Sequence, residues 1–133
     1  MFYSYDEKFF DKIVKPSITP PKSVFKYVWS VLFLLMFVSF IIVVLSPRII
    51  IKYWAILVFL VQLFVNLYWT KVFFIDHNIK KAFLIAILLL ILVAIMAVLF
   101  LKLSLIAGIL QLPYLLWLGF ACVLNKLLLE LNT

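Results

Sequence analysis

The side chains of this chain that could do chemistry are rings and carboxamides set into long apolar runs. Gln62, Asn66, Trp69 and Phe73 follow one another at i, i+4, i+7 and i+11, so on a helix turning about 100° per residue they converge on one stripe. Tyr114, Trp117, Leu118, Ala121 and Asn125 share a face in the same way, with Leu116, Val123 and Leu127 on the opposite side. Phe25, Trp29, Phe33 and Met36 form a third such face. A carboxamide left unpaired in hydrocarbon costs on the order of 1–3 kcal/mol, so Gln62 and Asn66 must face protein, water or a polar ligand. Aromatic walls with a few hydrogen-bonding handles are the usual make-up of a small-molecule site. Two plainer explanations compete. Trp and Tyr gather at membrane interfaces, which accounts equally well for Trp69, Tyr53 and Trp54. Interhelical hydrogen bonding, worth about 0.6 kcal/mol per pair on average, would account for Gln62 and Asn66. Trp29 and Trp117 sit deeper in their runs, where the interfacial explanation is weaker.

No catalytic constellation is visible in the sequence. It has no Ser-His-Asp arrangement at a plausible depth, no carboxylate pair within the apolar runs, and only two glycines from which a phosphate loop could be built. His77 has no second His, no Cys and no carboxylate pair beside it, so a loop hydrogen bond is expected of it and no metal site is assigned. The lone Cys122 cannot form an intrachain disulfide and reads as a small buried hydrophobe. The acids and arginines of proton relays and voltage sensors are absent from the apolar runs.

What positions these residues follows from composition. Of 133 residues 69% are hydrophobic and 13% charged, with a mean hydropathy of +1.33, whereas soluble domains are roughly 45–50% apolar. So small a soluble core could not hide that much hydrocarbon, so the solvent for most of it is lipid. The expected fold is an all-α bundle of four transmembrane helices, spanning about 22–45, 53–75, 82–101 and 104–129. Residues 1–21 are too charged to span. Their first part could lie in the interface as an amphipathic turn. Lys15-Pro16-Ser17-Ile18-Thr19-Pro20-Pro21 favours a stiff extended loop, with Thr19 able to cap the first span. Ser46-Pro47-Arg48 stops that span, and Asp76-His77-Asn78 forms a turn whose Asp or Asn can cap the third. Ala82, Ala86 and Ala97 would let another helix approach the third span closely, and Pro113 is expected to kink the fourth.

The net charge of +7 is carried by basic residues lying almost entirely between apolar runs. Membrane orientation and anionic headgroups explain them, and no basic face of any length points to nucleic acid. On one side lie Lys8, Lys12, Lys15, Lys22, Lys26, Lys71, Lys80, Lys81 and Lys126, and on the other Arg48, Lys52 and Lys102. With four spans this bias places both termini in the cytoplasm.

Several of these segments resemble the translocator protein family, also called tryptophan-rich sensory proteins or TspO/MBR. Phe9-Phe10 followed by Lys15-Pro16-Ser17-Ile18-Thr19-Pro20-Pro21 is similar to the family's loop, and Val28-Trp29-Ser30 to the run after it. Gln62-Leu63 with Asn66, Trp69, Phe73, Phe74, His77 and Asn78 fits the next pattern. Leu112-Pro113-Tyr114 with Trp117, Phe120, Ala121, Leu124 and Asn125 fits the last.

The resemblance implies a cavity opening toward the proline-rich loop and binding porphyrins such as protoporphyrin IX or haem, and synthetic isoquinoline and benzodiazepine compounds, as ligands, with no cofactor required. By position it implies Trp29, Phe33, Asn66 and Trp117 as cavity lining. It also implies a possible light-dependent oxidation of porphyrin through tryptophans matching Trp29 and Trp117. Gln62 and Asn66 would be polar handles, and Lys15 or Lys22 would pair with propionates. Family members have five spans, one before the Lys-Pro-Ser loop, so the first helix is expected to be missing here, with a second copy or a partner helix closing the open flank; a helix-packing subunit without a ligand is the alternative to a receptor. Ile18 stands where the family loop has Trp, and Lys126 follows Asn125 where the animal sterol consensus wants a nearby Tyr. A bacterial plasma membrane is therefore expected in preference to a mitochondrial outer membrane.

Overall fold

The computed structural model describes residues 22–47, 49–76 and 78–132. The N-terminal segment, the proline-rich loop with Thr19 and Lys15, and His77 lie outside the described residues, as do the side chains of Lys22 and Phe25. Among the described residues four helices follow one another: α1 (Lys22–Val44), α2 (Ile49–Phe74), α3 (Ile79–Leu103) and α4 (Leu105–Leu131). Their lengths of 23 to 27 residues correspond to about 35–40 Å at 1.5 Å per residue, enough to cross a hydrocarbon core about 30 Å thick. All four are apolar enough to span a membrane, and only 22% to 39% of each span is buried inside the bundle. The remaining surface, including Leu34, Phe64, Leu105 and Leu116, is exposed hydrocarbon that a bilayer would cover. The protein is a multi-pass integral membrane protein.

The helix ends are closed by local chemistry. The Asn78 side chain caps α3, accepting from the Lys81 amide at 3.0 Å, which satisfies one of the amides the first turn leaves free. Ser104 serves two helices at once. Its amide donates to the Phe100 carbonyl at the end of α3, and its hydroxyl accepts from the Ala107 amide at the start of α4. This one-residue corner forces α3 and α4 together, and a Cβ placed on Gly108 would lie 2.8 Å from the Leu101 Cα. Lys52 Nζ donates to the Val44 carbonyl at 3.3 Å, putting a cation at the C-terminal end of α1.

The helices form a ring in which α3 packs closely on α4 and on α2, α1 packs on α4, and the seam between α1 and α2 is the sparsest. Ala82, Ala86 and Ala97 are buried along α3, whose small side chains allow the close approach. Pro113 lies inside α4, which continues as one helix on both sides of it. The alternation of faces read from the spacing is the one observed on α4: Tyr114, Leu118, Ala121 and Asn125 are buried, whereas Leu116 and Val123 are exposed.

Candidate functional site

Trp29 of α1 is the hub of the interior. It is 1% exposed, and its ring centroid lies 6.1 Å from Phe33, 6.2 Å from both Trp69 and Tyr114, and 6.4 Å from Trp117. The Tyr114 and Trp117 rings meet it edge-on, at 71° and 88°, the arrangement that ring quadrupoles favour, worth about 0.5–1.5 kcal/mol per pair. Three helices thus supply one aromatic cluster: α1 through Trp29 and Phe33, α2 through Trp69, α4 through Tyr114 and Trp117. Phe73 joins it through Trp69, with centroids 5.8 Å apart. Trp29, Trp69 and Tyr114 are buried, while Phe33, Trp117 and its neighbour Phe120 are only half-buried and form the accessible rim.

A polar layer lies against this cluster on the side away from the start of α1 and the end of α4. The Tyr114 hydroxyl donates to Gln62 Oε1 at 2.8 Å and accepts from Asn66 Nδ2 at 2.8 Å. Gln62 Nε2 in turn points at Met36 Sδ, 3.3 Å away. One phenol therefore bridges α4 to two turns of α2, whose backbones stay apart. Gln62 has both amide atoms engaged, so of the two expected handles only Asn66 keeps a spare atom: its Oδ1 is buried with no hydrogen-bond partner. Turning the Asn66 amide over would exchange which atom is left, not remove it.

Trp69 is not an interfacial belt residue. It is 5% exposed, and its indole N–H donates to Asn125 Oδ1 at 3.2 Å, while Asn125 Nδ2 donates to the Ile79 carbonyl and ties α4 to the first turn of α3. Tyr53 and Trp54, exposed at 64% and 60%, are the ones that fit the belt. Ala121 is buried on the same face of α4 and offers only a small apolar surface.

The sequence put Asn125 on the inward face of α4 without naming a partner for it, and gave no role to Ser39 or Gln111. Ser39 Oγ donates to the Ala107 carbonyl at 2.6 Å and pins α1 to α4. Beyond the polar layer Phe59 stacks on Phe40 at 4.1 Å and lies 6.4 Å from Phe100, a second aromatic layer. The available signal was a polar residue in an otherwise apolar span, which Gln111, Ser39 and Asn125 each give. A surface groove of about 380 Å³ lined by Phe64, Val65, Leu67, Tyr68 and Lys71 runs on the outer face of α2 and shares no residue with the cluster. Among the described residues no group of three or more His, Cys, Asp or Glu is placed to hold a metal.

An interior of this kind, rings around a few uncharged hydrogen-bonding groups, is suited to recognising a flat apolar molecule. The TspO/MBR family pattern matches residues 2–129. The chain is 32% identical over 135 residues to Protein CrtK of Rhodobacter capsulatus, the match covering 92% of this chain and 78% of that protein. It is 30% identical over 131 residues to the Tryptophan-rich protein TspO of Chlorobaculum tepidum, covering 93% of this chain and 79% of the relative. The aromatic and carboxamide side chains gathered in the bundle are those on which the resemblance rested, and the chain belongs to the TspO/MBR family.

Proposed function

We propose that the protein is a membrane receptor or carrier for porphyrins and similar flat apolar ligands, protoporphyrin IX or haem among them. The observation that carries this reading is the interior placement of Trp29, with four aromatic rings within 6.4 Å. Rings at such spacing present faces and edges to an aromatic guest. The half-buried Trp117 and Phe33 are where that guest would first stack, because the fully buried rings are already occupied by one another. Titration with protoporphyrin IX in detergent, followed by tryptophan quenching, tests it. Trp117→Ala is expected to weaken binding about tenfold, the loss of one stacking partner, and unchanged affinity would overturn the reading.

A second reading, light-dependent oxidation of porphyrin by dioxygen with a tryptophan radical as relay, is favoured by the proximity of Trp69, Trp29 and Trp117, with centroids 6.2 and 6.4 Å apart. Such spacing lets a radical migrate between indoles. Under illumination the Soret band should decay faster in the native protein than in the Trp29→Phe, Trp117→Phe double variant, and equal rates dispose of it.

The same proposal places the chain in a bacterial plasma membrane with both termini cytoplasmic, supported by the charge bias and by the bacterial relatives. The sparse seam between α1 and α2 is where a second copy or a partner helix would close the bundle. A detergent-purified monomer that binds protoporphyrin as tightly as the membrane-embedded protein would remove the need for that partner.

A further inference from the structure

The groove on the outer face of α2 has a direction. Phe64, Val65, Leu67 and Tyr68 line it, and Lys71 stands at one end. Phe64 lies ten residues before the end of α2 at Phe74, about 15 Å at 1.5 Å per residue, which is half of a hydrocarbon core about 30 Å thick. The groove therefore runs from the middle of the bilayer to one surface. At the surface end α3 brings in a second cation, since Lys81 Nζ lies 5.3 Å from the centroid of the Tyr68 ring. The Lys71 ammonium gives one bond to Asp76 Oδ2 at 3.2 Å, and an ammonium carries three donors. Among the side chains described, this end of the bundle carries Lys26, Lys71, Lys80, Lys81 and Lys126 against Asp76 and Glu130, so its field favours an anion.

We propose that this groove is a binding site for one anionic glycerophospholipid, with an acyl chain lying along Phe64, Leu67 and Tyr68 and the headgroup phosphate taken by Lys71 and Lys81. Cations gathered at the surface end and hydrocarbon along the rest match a molecule that is charged at one end and apolar over its length. A soluble phosphate compound would leave the apolar part of the groove unused. A second copy of the chain fits less well, because helices that associate in lipid meet through small residues, whereas Phe64 and Tyr68 project rings that are 79% and 42% exposed. Long basic side chains at this depth reach the headgroups while their stems cover hydrocarbon, so a lysine on each of two helices can close on one phosphate. The groove shares no residue with the cluster around Trp29, and the lipid site stands whether or not the interior takes a ligand.

The test is native mass spectrometry of the full chain in detergent, titrated with phosphatidylglycerol or phosphatidylcholine bearing the same acyl chains. The first phosphatidylglycerol is expected to bind about twentyfold more tightly than the first phosphatidylcholine, a factor of about five for each lysine. Lys71→Gln with Lys81→Gln should remove that preference, and Lys71→Arg with Lys81→Arg should keep it. Lys52→Gln with Lys102→Gln, an equal loss of charge at the opposite end, should leave it unchanged. Leu67→Trp, which fills the groove, should weaken both lipids about tenfold. Equal affinity for the two lipids, a preference lost from the arginine pair, or one lost equally from the opposite-end pair overturns the site and leaves only general surface charge. Displacement of bound phosphatidylglycerol by millimolar inorganic phosphate overturns it in favour of the phosphate alone. A Leu67→Trp protein that holds both lipids as tightly as the native one shows that the groove takes no acyl chain, and loss of a native dimer in that variant gives the groove to a second copy.

Discussion

Tyr114 is the side chain on which the polar interior depends. Its hydroxyl is donor to Gln62 and acceptor for Asn66, so Tyr114→Phe removes one atom and strands two carboxamides. A transmembrane hydrogen bond is worth about 0.6 kcal/mol on average, but a buried partner left unsatisfied costs about 1–3 kcal/mol. The second effect dominates, because Gln62, Asn66 and Tyr114 are all buried. Tyr114→Phe is expected to lower stability by about 1–3 kcal/mol, measured by unfolding of the detergent-solubilised protein in a denaturing detergent, and a neutral result would mean that the amides find other partners. Spacing placed Gln62, Asn66 and Tyr114 on inward faces without showing that they would satisfy one another. Which carboxamide atoms remain open is decided by rotamers across two helices, and no single-helix pattern holds that information.

At the scale of elements, the α3–α4 corner is the tightest feature of the fold. Gly108 faces the Leu101 backbone at a distance no Cβ tolerates, whereas Gly119 has nothing within 4 Å of its would-be Cβ. Gly108→Val should destabilise the protein by about 1–3 kcal/mol through overpacking. Gly119→Ala should stabilise α4 by up to about 1 kcal/mol, the helix propensity gained. Thermal unfolding of the two variants checks both signs at once, and equal effects would mean that the corner is looser than its geometry. The Asn78 cap makes a smaller contribution. Asn78→Ala should cost about 1 kcal/mol, read as earlier fraying of α3 in amide hydrogen exchange. The existence of the four helices was legible from hydropathy alone, since runs this apolar have no other stable form in lipid. The closeness of α3 to α4 was not, because the pattern shows alanines and a glycine without showing which neighbour they admit.

At the scale of the whole molecule, the charge bias makes a topological prediction. A fluorescent protein fused after Thr133 should fold and fluoresce in the cytoplasm, and an alkaline phosphatase fused there should stay inactive. Active phosphatase at that position would invert the orientation. The outer surface is mostly exposed hydrocarbon, and the aromatic side chains meet in the interior where α1, α2 and α4 face one another.

Hydrophobic excess, span length and the placement of prolines are properties of the chain taken locally, so the membrane setting, the all-α class and the inward faces of Trp29, Asn66, Tyr114 and Trp117 follow from the order of residues. The meeting of those faces around Trp29, the transfer of Trp69 from a possible interfacial role to a bond with Asn125, and the solitude of Gln111 depend on how separate helices cross. They are set by packing between segments distant in the chain, where a side chain's partner is chosen by geometry in space and not by its interval in sequence.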